Sequence, residues 1–152
     1  MRCQQEGSKN THLVRWGLYN SWNKPERLAR GSPKALAARN TGLSRRMAND
    51  CGLTDIVDQT TEGSPLIEDC KEIVRIYNTD QMTTFTFEAD GSQHRVFQTG
   101  TCAFGVQTYC PNGQCPKKGI LVKIGDEDVR DLVQLSIDTF PWKGRVGALG
   151  HM

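Results

Sequence analysis

Six cysteines in a chain of 152 residues constrain the fold more than any other feature. Three of them, Cys102, Cys110 and Cys115, stand within the stretch "TGTCAFGVQTYCPNGQC". Clustered thiols hold metal, attack a substrate or close disulfides, and each use demands its own surroundings. Structural zinc sites draw on tight C-x2-4-C or H-x3-5-H pairs. Only Cys110 and Cys115 come near that spacing; His94 lies eight residues before Cys102, and there is no matching second pair. No metal is therefore expected. A cysteine nucleophile needs a histidine base. His94 reads as a surface residue on a strand, while His12 and His151 fall in expected tails, so no catalytic group is assigned.

Disulfides account for more of the pattern. "GSPLIEDCKEIVRIYN" predicts a helix over 65–77, with Ser64 as N-cap and Pro65 at the first helical position. Glu68 and Asp69 sit at the positive end of its dipole. Leu66, Cys70, Ile73, Val74 and Tyr77 recur at helical spacing and make one apolar face, so Cys70 points inward. "TCAFGVQ" predicts a strand with Cys102, Phe104 and Val106 on one face. A Cys70–Cys102 bridge would then join helix to sheet across the core. Its loop of about thirty residues would stabilise by about 3–4 kcal/mol in the chain-entropy description. "CPNGQC" is a Pro-Asn-Gly turn with a cysteine at each end, which predicts a Cys110–Cys115 staple. Bridges of this kind persist in oxidising compartments, so the protein is expected to be secreted and extracellular.

The remaining elements follow from local pattern. "TTFTFEADGSQHRVFQT" reads as a hairpin about Asp90-Gly91, pairing 82–88 with 93–98. Strands are also expected at 101–107 and 120–124. A second helix is expected over 127–140, capped by Asp126, with Val129, Leu132, Val133, Ile137 and Phe140 as its buried stripe. Two amphipathic helices need a face to cover. The expected fold is α+β: an antiparallel sheet of four or more strands, both helices on one face, stapled by disulfides.

Charge divides the chain. Residues 1–46 hold ten Lys/Arg against two Asp/Glu, a net +8, whereas residues 47–152 hold nine against fifteen, a net −6. Pro25, Gly31, Pro33 and Gly42 punctuate the basic part. It is expected to be a disordered leader or pro-region ahead of a domain at 47–152, with Arg45–Arg46 as a processing signal and Trp16 and Trp22 as residues able to dock on the sheet. Its basic residues are scattered and no binding fold accompanies them, so no nucleic-acid partner is expected. No apolar run approaches the length of a membrane helix, and "MRCQQEGSKNTHLVRWG" lacks the apolar core of a signal peptide. Asp126, Glu127, Asp128, Glu68 and Asp69 read as helix-start charges, so no enzyme is expected and no cofactor is implied.

Five segments in order carry a family resemblance: "NDCG" at 49–52, "SPLIEDCKEI" at 64–73, "GTCAFGV" at 100–106, "IGDEDVRDLVQLSIDTF" at 124–140 and "GRVGALGHM" at 144–152. The set resembles the necrosis-inducing-factor domain of secreted fungal effectors, small cysteine-bridged extracellular proteins. The resemblance implies a virulence factor that induces plant cell death or binds a host protein or cell-surface component. It also implies, as the alternative, a killer-toxin-like protein that acts on competing microbes. It implies a cysteine framework at Cys51, Cys70 and Cys102, with Cys110 and Cys115 as an added loop. The family pattern ends in a cysteine that pairs with the one in "DCG". This chain stops at Met152, so Cys51 is expected to be unpaired unless Cys3 reaches it. The expected state is a monomer, with disulfide-linked dimers through such a free cysteine.

Overall fold

The alternation of Cys102, Phe104, Val106 and Thr108 turns four side chains to one face of a strand, and all four are buried. A computed structural model describes residues 14–20, 55–78, 83–108, 110, 114–115 and 119–151. In chain order its elements are β1 (Val14–Asn20), β2 (Asp55–Asp58), α1 (Ile67–Ile76), β3 (Thr84–Glu88), β4 (Gln93–Thr99), β5 (Cys102–Thr108), β6 (Leu121–Gly125), α2 (Asp126–Thr139) and β7 (Ala148–His151). Five strands form one antiparallel sheet in the order β2-β7-β1-β5-β4, and β3 pairs with β6 in an antiparallel ribbon. α1 packs on β4 and β5, and α2 packs on α1 and β6. The fold is α+β with two helices, an antiparallel sheet and two disulfides.

Seven residues of the expected leader stand in the middle of that sheet. "VRWGLYN" alternates Val14, Trp16 and Leu18 with Arg15, Gly17 and Tyr19, and the three apolar side chains are 6, 0 and 5% exposed. β1 pairs with β5 on one side, Trp16 opposite Val106 and Leu18 opposite Phe104. It pairs with β7 on the other, Trp16 opposite Gly150. The Trp16 ring stacks on Phe104 with centroids 5.8 Å apart. The expectation of a disordered leader over 1–46 therefore fails for residues 14–20, and Trp16 is in the sheet itself. Charge averaged over 46 residues hides a strand only seven long, whose period-two alternation is the informative signal. Trp22 and Arg45–Arg46 lie outside the described residues.

The expected hairpin is also corrected. β3 does not pair with β4: Phe85 faces Ile124 and Phe87 faces Val122 across the β3–β6 ribbon. β4 pairs instead with β5 through a two-residue turn at Gly100-Thr101. Asp90-Gly91 does turn the chain, with Gly91 at φ 78°. The turn signal is local, however, and says nothing about which strand each arm will join. Ile124 at 2% and Phe87 at 8% exposure show the burial that the long-range pairing secures.

Both helices lie where the periodicity places them, with shifted starts. Ser64 does not cap α1. Its hydroxyl accepts the Thr61 N–H at 2.8 Å, and the helix begins at Ile67. The first free N–H groups find tertiary partners: Leu66 donates to the Thr101 hydroxyl at 2.9 Å and Ile67 to the Gly144 carbonyl at 2.9 Å. Leu66, expected in the buried stripe, is consequently 40% exposed, while Cys70, Ile73 and Tyr77 are buried. In α2 the cap is Gly125, not Asp126. The Asp126 carboxylate accepts N–H groups from Thr83 and Glu127, and Asp128 accepts the Gly125 N–H at 3.2 Å. The expected α2 stripe of Val129, Leu132, Val133, Ile137 and Phe140 is buried throughout.

Candidate functional site

Cys70 lies on the inner face of α1 and Cys102 at the start of β5, and both are fully buried. The structure joins them in a disulfide with Cα atoms 5.2 Å apart. Beside the bridge, the Asp69 carboxylate accepts the Thr101 N–H at 2.8 Å and the Thr101 hydroxyl at 2.6 Å. These hydrogen bonds hold the Asp69 carboxyl below the usual carboxylate range. Gly100, at φ 51°, is needed here: a Cβ on it would stand 2.5 Å from the Asp69 carboxylate. One covalent and several polar links therefore fix the start of α1 to the β4–β5 turn.

Cys110 and Cys115 form the second disulfide, with Cα atoms 4.4 Å apart. Its sulfurs press on the turn before β4: a Cβ on Gly91 would lie 2.7 Å from Cys110 Sγ and 2.5 Å from Cys115 Sγ. Gly91 is also clasped to β5, donating its N–H to the Thr108 hydroxyl and accepting from the Gln107 side chain. The turn carries Asp90, Ser92 and His94. Asp90 accepts from the Ser92 N–H at 2.8 Å and the Ser92 hydroxyl at 2.6 Å, and lies 3.1 Å from His94 Nε2. The Ser92 bonds, then His94, push the Asp90 carboxyl down to about 2.

A serine, a histidine and an aspartate at one corner invite comparison with a hydrolytic triad. The geometry does not supply a relay. Ser92 and Asp90 both approach the same ring nitrogen, Nε2, at 3.1 Å. A triad uses one ring nitrogen for the nucleophile and the other for the carboxylate. His94 instead lies against Phe87, with ring centroids 5.3 Å apart. Cys102, Cys110 and Cys115 hold their sulfurs in disulfides rather than as thiolates. Among the described residues, no group of three or more His, Cys, Asp or Glu is arranged to hold a metal ion. No helix among them is long and apolar enough to cross a membrane. Cys3 and Cys51 lie outside the described residues.

A surface that the local patterns did not single out lies at the start of α1. Trp142 to Arg145 form a two-residue turn, each end donating its N–H to the other's carbonyl, at 2.9 and 2.8 Å. Trp142 is 40% exposed. The signal was present in "PWKGR", where Lys143 and Arg145 flank a turn glycine just after Trp142, but it reads first as the stop of α2.

The architecture defines a rigid, doubly stapled α+β domain whose distinctive side chains face outward from turns. The chain belongs to the Hce2 family, described as "Pathogen effector; putative necrosis-inducing factor", which matches residues 50–152. The protein named "Probable chitinase LysM18" of Penicillium expansum is similar to it, 34% identical over 96 residues that cover 62% of this chain. The chain spans about 6% of the length of that relative. No solved structure matches.

Proposed function

We propose that this protein is a secreted, non-enzymatic fungal effector that acts outside the fungal cell by binding a host component and provoking plant cell death. The observation that carries this reading is the buried Cys70–Cys102 bridge in a chain of the pathogen-effector family. A disulfide that links a helix to the central part of a sheet is useful only where thiols are kept oxidised. The host component is a protein or a cell-surface structure, and nucleic acid is not the partner. The protein acts as a monomer, and disulfide-linked dimers would form only through a cysteine left free, Cys51 where Cys3 does not reach it.

The test is infiltration of the oxidised chain into leaves beside the reduced and alkylated chain. Local cell death from the oxidised chain alone supports the reading, and equal inertness of both defeats it. A second reading is favoured by the chitinase-named relative: a toxin-like protein directed at the walls of competing fungi. A growth-inhibition assay on yeasts, run with the same preparation, separates the two.

A further inference from the structure

Leu66, Arg145 and Trp142 form a row. Leu66 pairs with Arg145 on one side and Trp142 with Arg145 on the other, both antiparallel. Residues paired across antiparallel segments project to the same face. The three side chains therefore stand side by side, a cation between two apolar groups. The Cα atoms of Leu66 and Trp142 are about 10 Å apart, the sum of one narrow and one wide antiparallel spacing. Leu66 and Trp142 are each 40% exposed. The row is held rigidly, because Ile67 donates to Gly144 and Arg145 Nη1 donates to the Ser64 carbonyl at 2.7 Å.

The turn is also strained. Lys143 has φ 47°, the single non-glycine residue with positive φ among the described residues. With Gly144 at φ 74°, both central positions of the turn are left-handed. Such turns favour Asn-Gly or Gly-Gly, and a lysine there costs roughly 1–2 kcal/mol. The side chain that incurs this cost lies over Trp142, Nζ 4.6 Å from the ring centroid. Strain held at an exposed aromatic and a cation is the kind of outlier that points from structure to use.

We infer that the Leu66–Arg145–Trp142 face, with Lys143, is a binding surface for chitin, the β-1,4-linked polymer of N-acetylglucosamine. The inference rests on the proposed extracellular location and goes beyond the host-binding role, because chitin is a polymer of fungal walls and not of plants. The Trp142 ring, with Lys143 Nζ over one face, leaves its exposed part to meet the apolar C–H face of a pyranose. Lys143 over the ring and the guanidinium N–H groups of Arg145 not given to Ser64 are donors for hydroxyl and acetamide oxygens, in the pattern of a mostly apolar site with few placed polar groups. The row is long enough for more than one sugar, with Leu66 under the next unit. The polymer is chosen because the chitinase-named relative carries a segment similar to this domain. The similar segment makes up about 6% of that protein's length.

The test is depletion of the full oxidised chain from solution by insoluble chitin, cellulose, polygalacturonate gel and anionic phosphatidylserine vesicles. Chitin should bind the wild-type chain, with less than a twofold change between 50 mM and 500 mM salt. Trp142→Ala should weaken binding at least tenfold, and Trp142→Phe only a few-fold. Lys143→Asn should also weaken binding a few-fold while raising the urea midpoint, so that its loss cannot be ascribed to unfolding. No retention on chitin, retention unchanged in Trp142→Ala, or salt-sensitive binding to polygalacturonate or vesicles in its place would each overturn the inference. Leaf infiltration of Trp142→Ala keeps the two proposals apart. Cell death from wild type and variant alike, without chitin binding, removes this surface and leaves the effector reading standing. Chitin binding without cell death does the reverse.

Discussion

Gly91 shows how one missing side chain can decide a local structure. The two sulfurs of the Cys110–Cys115 bridge fill the space a Cβ would need, at 2.5 and 2.7 Å, and the residue's φ of 78° disfavours any L side chain besides. Gly91→Ala should therefore cost roughly 1–3 kcal/mol, as overpacking does. Peptide mapping should find a fraction of chains with Cys110 and Cys115 reduced. An unchanged urea midpoint with complete bridging would mean the loop yields freely. Two carboxylates give a second residue-scale prediction. Asp69 and Asp90 both have pKa values depressed in the fold, Asp69 by Thr101 and Asp90, down to about 2, by Ser92. A depressed carboxylate stabilises the fold fully above its unfolded value near 4, and that contribution is lost as pH falls through the folded value. The urea midpoint should hold above about pH 5 and decline from about pH 4 toward pH 2. Asp69→Asn should show a shallower decline. A midpoint that is flat down to pH 2 would contradict the role given to both groups.

At the scale of elements, the helix-to-sheet disulfide offers the clearest measure. Cys70 and Cys102 are separated by 32 positions, and closing such a loop restricts the unfolded chain by about 3–4 kcal/mol. The double variant Cys70→Ala and Cys102→Ala should lose about that much, read from urea unfolding at pH 7. A loss below about 1 kcal/mol would show that Asp69 and Thr101 hold the junction without the bridge. These elements were legible because their signals are periodic and long. The α2 stripe, from Val129 to Phe140, is buried as its spacing indicates. The β5 alternation was equally plain. Strand partnership was not legible, since Phe85 and Phe87 alternate in the same way whether they meet β4 or β6. The short strands β2 and β7, four residues each, give no period to read. Ser64 misled because a helix start can be satisfied from elsewhere in the fold, here by Thr101 and Gly144. The exposed Trp142 face was hidden for a related reason. Its row exists only once Leu66 and Arg145, distant in sequence, are paired.

For the whole molecule, the decisive fact is where β1 lies. The segment that matches the family begins at residue 50, whereas β1 covers Val14–Asn20 and fills the sheet between β7 and β5. Removing it would leave two interior strands as bare edges and uncover the ring of Phe104, which Trp16 now covers. The buried side chains of Val14, Trp16 and Leu18 contribute about 5–9 kcal/mol together, at about 1.5–3 kcal/mol for each fully buried apolar side chain. Total stability of a domain is of the same order, about 5–15 kcal/mol. A fragment spanning 50–152 should therefore fail to fold cooperatively, even with both described disulfides available to it. It should bind the apolar dye ANS, show no sigmoidal urea transition and aggregate through its open edges. A mixture with a separate peptide covering 1–49 should restore the transition, because the strand docks by side chains and ladder bonds and needs no covalent tie to do so. Trp16→Ala in the full chain should cost about 3–5 kcal/mol, the range for removing a large buried aromatic. If the fragment unfolds at the same urea concentration as the full chain, β1 is an accessory strand and the stable unit is the matched segment alone.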